Sequence, residues 1–158
     1  MPAKQTANME DYLEAILLIE KEEGVARVSQ ISEMLGVKKP SVTAALDKLS
    51  KQGLVKHEKY GYVDFTPKGK KMARDVYRRH QLLTTFLVDI LGVNEKTGED
   101  DACKMEHHLS RETTERLESL VEFILAGPRA SQWMDNLAYF HQHGERPEVC
   151  AGESEGED

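Results

Sequence analysis

Residues 28–65 read VSQISEMLGVKKPSVTAALDKLSKQGLVKHEKYGYVDF. Ser29 is placed to cap a short helix over 29–35, and Gly36 breaks it. Pro40 suits the first turn of a second helix running to Gln52, where a missing N–H costs nothing. Val42, Ala45, Leu46 and Leu49 recur at helical spacing, so they form its buried face. From Leu54 the character changes. β-branched and aromatic residues flank Gly61, which predicts two short strands and a turn over 54–65.

Working outward, Tyr12, Ile16 and Ile19, with Leu13 and Leu17 beside them, predict a helix over 7–23 that Gly24 stops. Thr66-Pro67 reads as a cap and first position of a long helix to Leu91. Its apolar stripe is Met72, Val76, His80, Leu83, Leu87 and Ile90. Further helices are expected over 95–109, 111–126 and 130–141, with Ser110 capping the second and Gly127-Pro128 separating the last two. Phe86, Leu87, Leu117, Leu120, Val121 and Ile124 are expected to form a dimer surface, and Trp133, Tyr139 and Phe140 to pack the last helix. The expected fold is mainly α: a winged helix-turn-helix with a β-hairpin wing over 1–71, an α-helical dimerisation domain over 72–143, and a mobile acidic tail over 144–158.

Helix, glycine turn, helix and hairpin is the order of a DNA-reading module. The second helix exposes Ser41, Thr43, Ala44, Asp47, Lys48 and Lys51, and hydroxyls and small side chains there can approach base edges in a major groove. Lys38, Lys39 and Pro40 open that helix, where a lysine pair can hold phosphates, and the wing offers Lys56, His57, Lys59 and Tyr60 to the flanking backbone. Charge supports this placement. Residues 28–80 hold 12 basic and 5 acidic side chains, while the whole 158-residue chain has net charge −7. A basic segment in an acidic protein marks a local polyanion site.

The same sequence argues against other classes. A membrane span needs about 20 apolar residues, and the longest runs here last only a few. Met1–Met9 lacks the apolar core of a secretory signal. Two cysteines, Cys103 and Cys150, make no disulfide framework, so a reducing cytoplasm is the expected setting.

A second constellation is chemical. Asp11 and Glu14 are three apart and share a helix face. Cys103, Glu106 and His107 stand at i, i+3 and i+4 on a later helix. His80 lies on an apolar stripe, where its imidazole needs a partner. Each has a plainer reading: acids favoured in a helix's first turn, a hydrogen-bonded core histidine, a buried small thiol, a surface pair. Taken together, oxygen, nitrogen and one sulfur point to a divalent transition ion rather than calcium or magnesium.

Five segments in order, MEDYLEAI (9–16), ARVSQISEMLGVKKPSVTAALDKLSKQGLV (26–55), FTPKGKK (65–71), YRRHQLL (77–83) and ACKMEHHLS (102–110), resemble the diphtheria toxin repressor family of metal-dependent bacterial repressors, most closely its manganese transport regulator branch. The resemblance covers about residues 8–141. It implies a transcriptional repressor that is not an enzyme, a homodimer of winged-helix subunits binding palindromic double-stranded operator DNA when loaded with Fe(II) or Mn(II), one or two ions per subunit. No membrane partner or small-molecule substrate is implied. The metal motifs fall on Asp11, Glu14, His80, Glu106 and His107. At the remaining position the manganese branch has Glu and the iron branch Cys; here it is Cys103. At the first-helix position the iron branch has Met; here it is Asp11. The ligand set is a hybrid. His80 and Glu99 occupy positions of the iron branch's auxiliary site, while Thr84 stands where that site has Glu. The competing readings are a winged-helix regulator not gated by metal and a di-metal carboxylate enzyme of the helical-bundle kind.

Overall fold

The computed structural model describes residues 8–58 and 61–147. Lys59, Cys150 and most of the acidic tail lie outside the described residues. The chain divides into two compact units, residues 1–79 and 80–158.

The first unit opens with α1, Met9–Glu23, which buries Tyr12, Leu13, Ile16, Leu17 and Ile19 as its spacing predicts. Gly24 ends it in the left-handed region at φ 85°, with its N–H bonded to Glu20 O at 2.9 Å. A glycine is favoured there because L side chains rarely adopt so positive a φ. A two-residue strand, β1 (Ala26–Arg27), follows. Helix α2 spans Val28–Leu35. Its cap position is Arg27 rather than Ser29: Gln30 reaches back to accept from Arg27 N at 2.9 Å, satisfying a backbone donor. Helix α3 spans Lys39–Lys51 and buries Val42, Ala45, Leu46 and Leu49. Strands β2 (Val55–His57) and β3 (Tyr62–Phe65) pair antiparallel, with Lys56 opposite Asp64 and His57 opposite Val63. The expected hairpin is therefore the larger part of a three-stranded sheet, order β1-β3-β2, in which Ala26 pairs with Val63.

Helix α4, Pro67–Thr84, begins where Thr66-Pro67 predicts. Thr66 Oγ1 donates to Gly53 O at 2.7 Å and accepts from Gly69 N at 3.0 Å, so one hydroxyl ties the end of α3 to the start of α4. Gly69 is required by packing: a Cβ there would lie 1.7 Å from Leu54 O. Lys70 pairs with Glu20 at 2.7 Å, Arg79 with Glu10 at 3.0 Å, and Lys21 stands over the Tyr77 ring. Together these hold α4 against α1. The buried stripe of α4 uses Ala73 and Val76; Met72 is 37% exposed and does not belong to it. The steps of three and four still hold, but they start one residue later.

The second unit begins inside α4. Beyond Thr84 the helix widens to a π-helical segment, Thr85–Ile90, closed by Leu91 N bonding back five residues to Phe86 O at 3.0 Å. Sequence periodicity reads this as plain helix because the apolar residues continue. Helix α5 spans Glu95–Met105, α6 Arg111–Leu125 and α7 Ala130–His143. Ser110 caps α6, accepting from Thr113 N at 3.2 Å. Leu83, Ile90, Ala102 and Val121 are the buried apolar side chains of this unit. Helix α7 buries nothing, and Trp133, Tyr139 and Phe140 are exposed, not packed inward as expected. Val121 is 7% exposed and belongs to the unit's own core, whereas Leu120 is exposed and Phe123 is 80% exposed.

Candidate metal centre and nucleic-acid interface

The segment ACKMEHHLS does not stay helical to its end. Helix α5 stops at Met105, because Ser110 starts α6 and the chain must turn between them. Glu106 nevertheless keeps right-handed helical angles and bonds to Ala102 O at 3.0 Å. The spacing of Cys103, Glu106 and His107 on one face therefore survives, although the helix expected to reach residue 109 does not.

Glu106 is fully buried. An isolated buried carboxylate costs several kcal/mol (order of magnitude) unless it is paired or coordinated. Its Oε2 accepts from His80 Nδ1 at 2.9 Å. With Nδ1 donating, His80 carries its lone pair on Nε2. Glu106 Oε1 is buried and makes no hydrogen bond among the described residues. His107 Nε2 stands 3.2 Å from that oxygen, close enough for attraction but not in hydrogen-bonding geometry. Cys103 Sγ, a Glu106 oxygen and a His107 nitrogen all lie within 4.8 Å of one another. A buried anionic oxygen with no donor, beside an imidazole nitrogen and a thiol, is the donor set that a divalent transition ion satisfies.

The plainer readings fare unequally. Cys103 is exposed, so it is no buried hydrophobe. Glu106 is no surface residue. His80 does find a protein partner, Glu106. In the first unit Asp11 accepts from Asn8 N at 2.6 Å, so it serves as a first-turn capping acid whatever else it does. Burial first, then the Asp11 carboxylate, hold the Tyr12 hydroxyl above its ordinary range. Glu14 lies one turn further along the same helix.

On the DNA-reading element, Lys38, Lys39, Pro40, Ser41, Ala44, Lys48 and Lys51 are exposed along α3 and its approach. Thr43 is half-buried, and its hydroxyl donates to Lys39 O at 3.1 Å. Two features escape sequence reading. Arg27, on the overlooked β1, donates to Tyr62 Oη at 3.0 Å and stacks over that ring, bracing the wing. His57 of β2 donates to Asp47 of α3 at 2.9 Å. Neither pair has a local sequence signal, because the partners are brought together by the sheet.

A winged-helix unit in one chain with a helical unit that gathers carboxylate, imidazole and thiol defines a metal-responsive DNA-binding regulator. Comparison with known proteins narrows that class. Residues 4–68 match the family model for the iron dependent repressor N-terminal DNA binding domain, and residues 66–135 match that for the iron dependent repressor metal binding and dimerisation domain. The chain is 39% identical over 140 residues to the HTH-type transcriptional regulator MntR of Geobacillus thermodenitrificans, covering 89% of this chain and 99% of that protein. It is 45% identical over 119 residues to the MntR of Bacillus pumilus, covering 75% and 82%. Among solved structures it resembles the metal-dependent transcriptional regulator MtsR (TM-score 0.69, 29% identity, 75% of this chain and 55% of that one). It also resembles a manganese-dependent transcriptional repressor in complex with manganese (TM-score 0.66, 32% identity, 73% and 53%). The chain thus spans about half the length of those solved structures. This chain belongs to the iron-dependent repressor family of metal-dependent, DNA-binding transcriptional regulators.

Proposed function

We propose that this chain is a cytoplasmic repressor that binds a palindromic operator as a homodimer, and does so when Fe(II) or Mn(II) occupies the centre at Glu106. The observation that carries this reading is the fully buried carboxylate whose Oε1 lacks a hydrogen-bond donor beside His107 and Cys103. When bound, the ion supplies the positive charge and the coordination that Glu106 Oε1 otherwise lacks.

Cys103, Glu106 and His107 are the ligands contributed by the second unit, and His80 is a ligand or the partner that orients Glu106. Asp11 and Glu14 are proposed as the first unit's share of the set, on the strength of the family motif and their common helix face. A thiol beside a carboxylate set favours no single metal, so both ions remain in the proposal, as one or two per subunit. Cys103 and His107 must shed protons to ligate, so loading weakens as pH falls. Lys38, Lys39, Lys48, Lys51 and Lys59 hold phosphates, while Pro40, Ser41, Thr43 and Ala44 let α3 approach the major groove. Phe123, at 80% exposed, and Leu120 beside it on α6 supply apolar surface for a second subunit. No role in this scheme is catalytic, and among the described residues no helix is long and apolar enough to cross a membrane.

The test is anaerobic DNA binding by the full chain in chelator and in Mn(II), Fe(II), Co(II) or Zn(II). The proposal expects much tighter binding with Mn(II) or Fe(II) than in chelator. Equal affinity in chelator and in every metal would refute it.

A further inference from the structure

Helix α3 carries one acidic side chain among three lysines inside its bounds, Lys39, Lys48 and Lys51. That residue is Asp47. At 100° per residue it points nearly opposite the buried stripe of Val42, Ala45, Leu46 and Leu49. It shares the outward face with Ala44 and Lys51, one turn to either side. Its side chain is 56% exposed. An anion at the centre of a surface built to meet phosphates is repelled by them. It is nonetheless held in place: His57 Nε2 donates to its Oδ1 at 2.9 Å, and the His57 side chain is only 9% exposed. His57 is itself fixed by the sheet, opposite Val63. A largely buried imidazole thus directs its N–H to an exposed carboxylate and sets its rotamer. Among the described residues, His57 is the one hydrogen-bond partner of Asp47, so Oδ2 retains its acceptor capacity on the outward face.

We infer that Asp47 is a specificity-determining residue. It accepts a hydrogen bond from the N4 amino group of a cytosine in the major groove of each half-site, and His57 is the positioning residue that aims it. Cytosine is the base whose major-groove edge offers a donor without an adjacent acceptor, which is why a carboxylate selects it. The same charge rejects the acceptor edges of guanine and thymine. The inference rests on the reading of α3 as the groove-entering helix.

The experiment is selection from a pool of random duplexes by the full chain with Mn(II) or Fe(II), using wild type, Asp47→Asn, Asp47→Ala, His57→Leu and His57→Gln. Wild type is expected to enrich a motif with cytosine at one position in each half-site. Asp47→Asn should convert that position to adenine, since an amide pairs with adenine N6 and N7, and Asp47→Ala should leave it degenerate, a loss of roughly 5- to 150-fold in discrimination. His57→Leu should blur the same position and His57→Gln, which retains an N–H donor, should restore it. Metal affinity should not change in the Asp47 variants. If wild type enriches a motif and Asp47→Asn enriches the same one, the inference fails while the repressor reading stands. A uniform gain in affinity for all sequences on Asp47→Ala would also overturn it, showing only relieved repulsion. Enrichment of no motif by metal-loaded wild type overturns the repressor reading and this inference together.

Discussion

Glu106 is the residue on which the centre depends. A carboxylate with no exposure and one oxygen lacking a donor is a stability cost in the absence of metal and, in the proposed centre, a ligand in its presence. Glu106→Gln should therefore separate the two effects. Its metal affinity should fall by more than the roughly 10- to 100-fold that follows loss of a partner outside the ligand set. The metal-free variant should melt at the same temperature as wild type or higher, because the buried charge has gone. Metal titration by calorimetry alongside thermal melting checks both. The six proposed ligands were all legible as residue types at helical spacing. Their individual environments were not: that Glu106 is buried and Cys103 exposed depends on where α5 ends, and Asp11's bond to Asn8 N depends on where α1 begins. Asp47 was visible only as an exposed acid, since its partner His57 lies ten residues away across a turn.

At the scale of elements, the tightest constraint is the contact between α4 and the loop after α3. A Cβ on Gly69 would meet Leu54 O at 1.7 Å, and that carbonyl also accepts from Thr66 N at 3.0 Å. Backbone cannot yield there as a flexible side chain would. In an open helix, Gly→Ala would stabilise by about 1 kcal/mol. Here Gly69→Ala should destabilise the protein by several kcal/mol (order of magnitude), read as a fall in denaturation midpoint, because α4 must move off the end of α3. Helices α1 and α3 were legible because each buries a stripe at three- and four-residue spacing, and α3 buries the four residues its pattern names. The elements that were not legible lack such a pattern. Strand β1 has two residues and exists only by pairing with β3. The π-helical segment 85–90 keeps its apolar composition while changing its hydrogen bonds, which periodicity does not register. Helix α7 has aromatic residues at helical spacing and yet buries none of them within this chain, so composition alone misplaced them in the core.

For the whole molecule, the central claim is thermodynamic. In the proposed function metal binding and DNA binding are one linked equilibrium, so each must strengthen the other by the same factor. Typical coupling of 1–3 kcal/mol corresponds to roughly 5- to 150-fold. If Cys103 and His107 ligate the ion as proposed, their proton release adds a second linkage, so the metal-induced gain in DNA affinity should shrink progressively in acid, as fluorescence anisotropy at stepped pH would record. The most direct measurement is the metal Kd of the full chain, Mn(II) and Fe(II) each under anaerobic conditions, with and without saturating selected operator. The account predicts tighter metal binding on DNA, by the factor that metal adds to operator affinity. An unchanged metal Kd would contradict it.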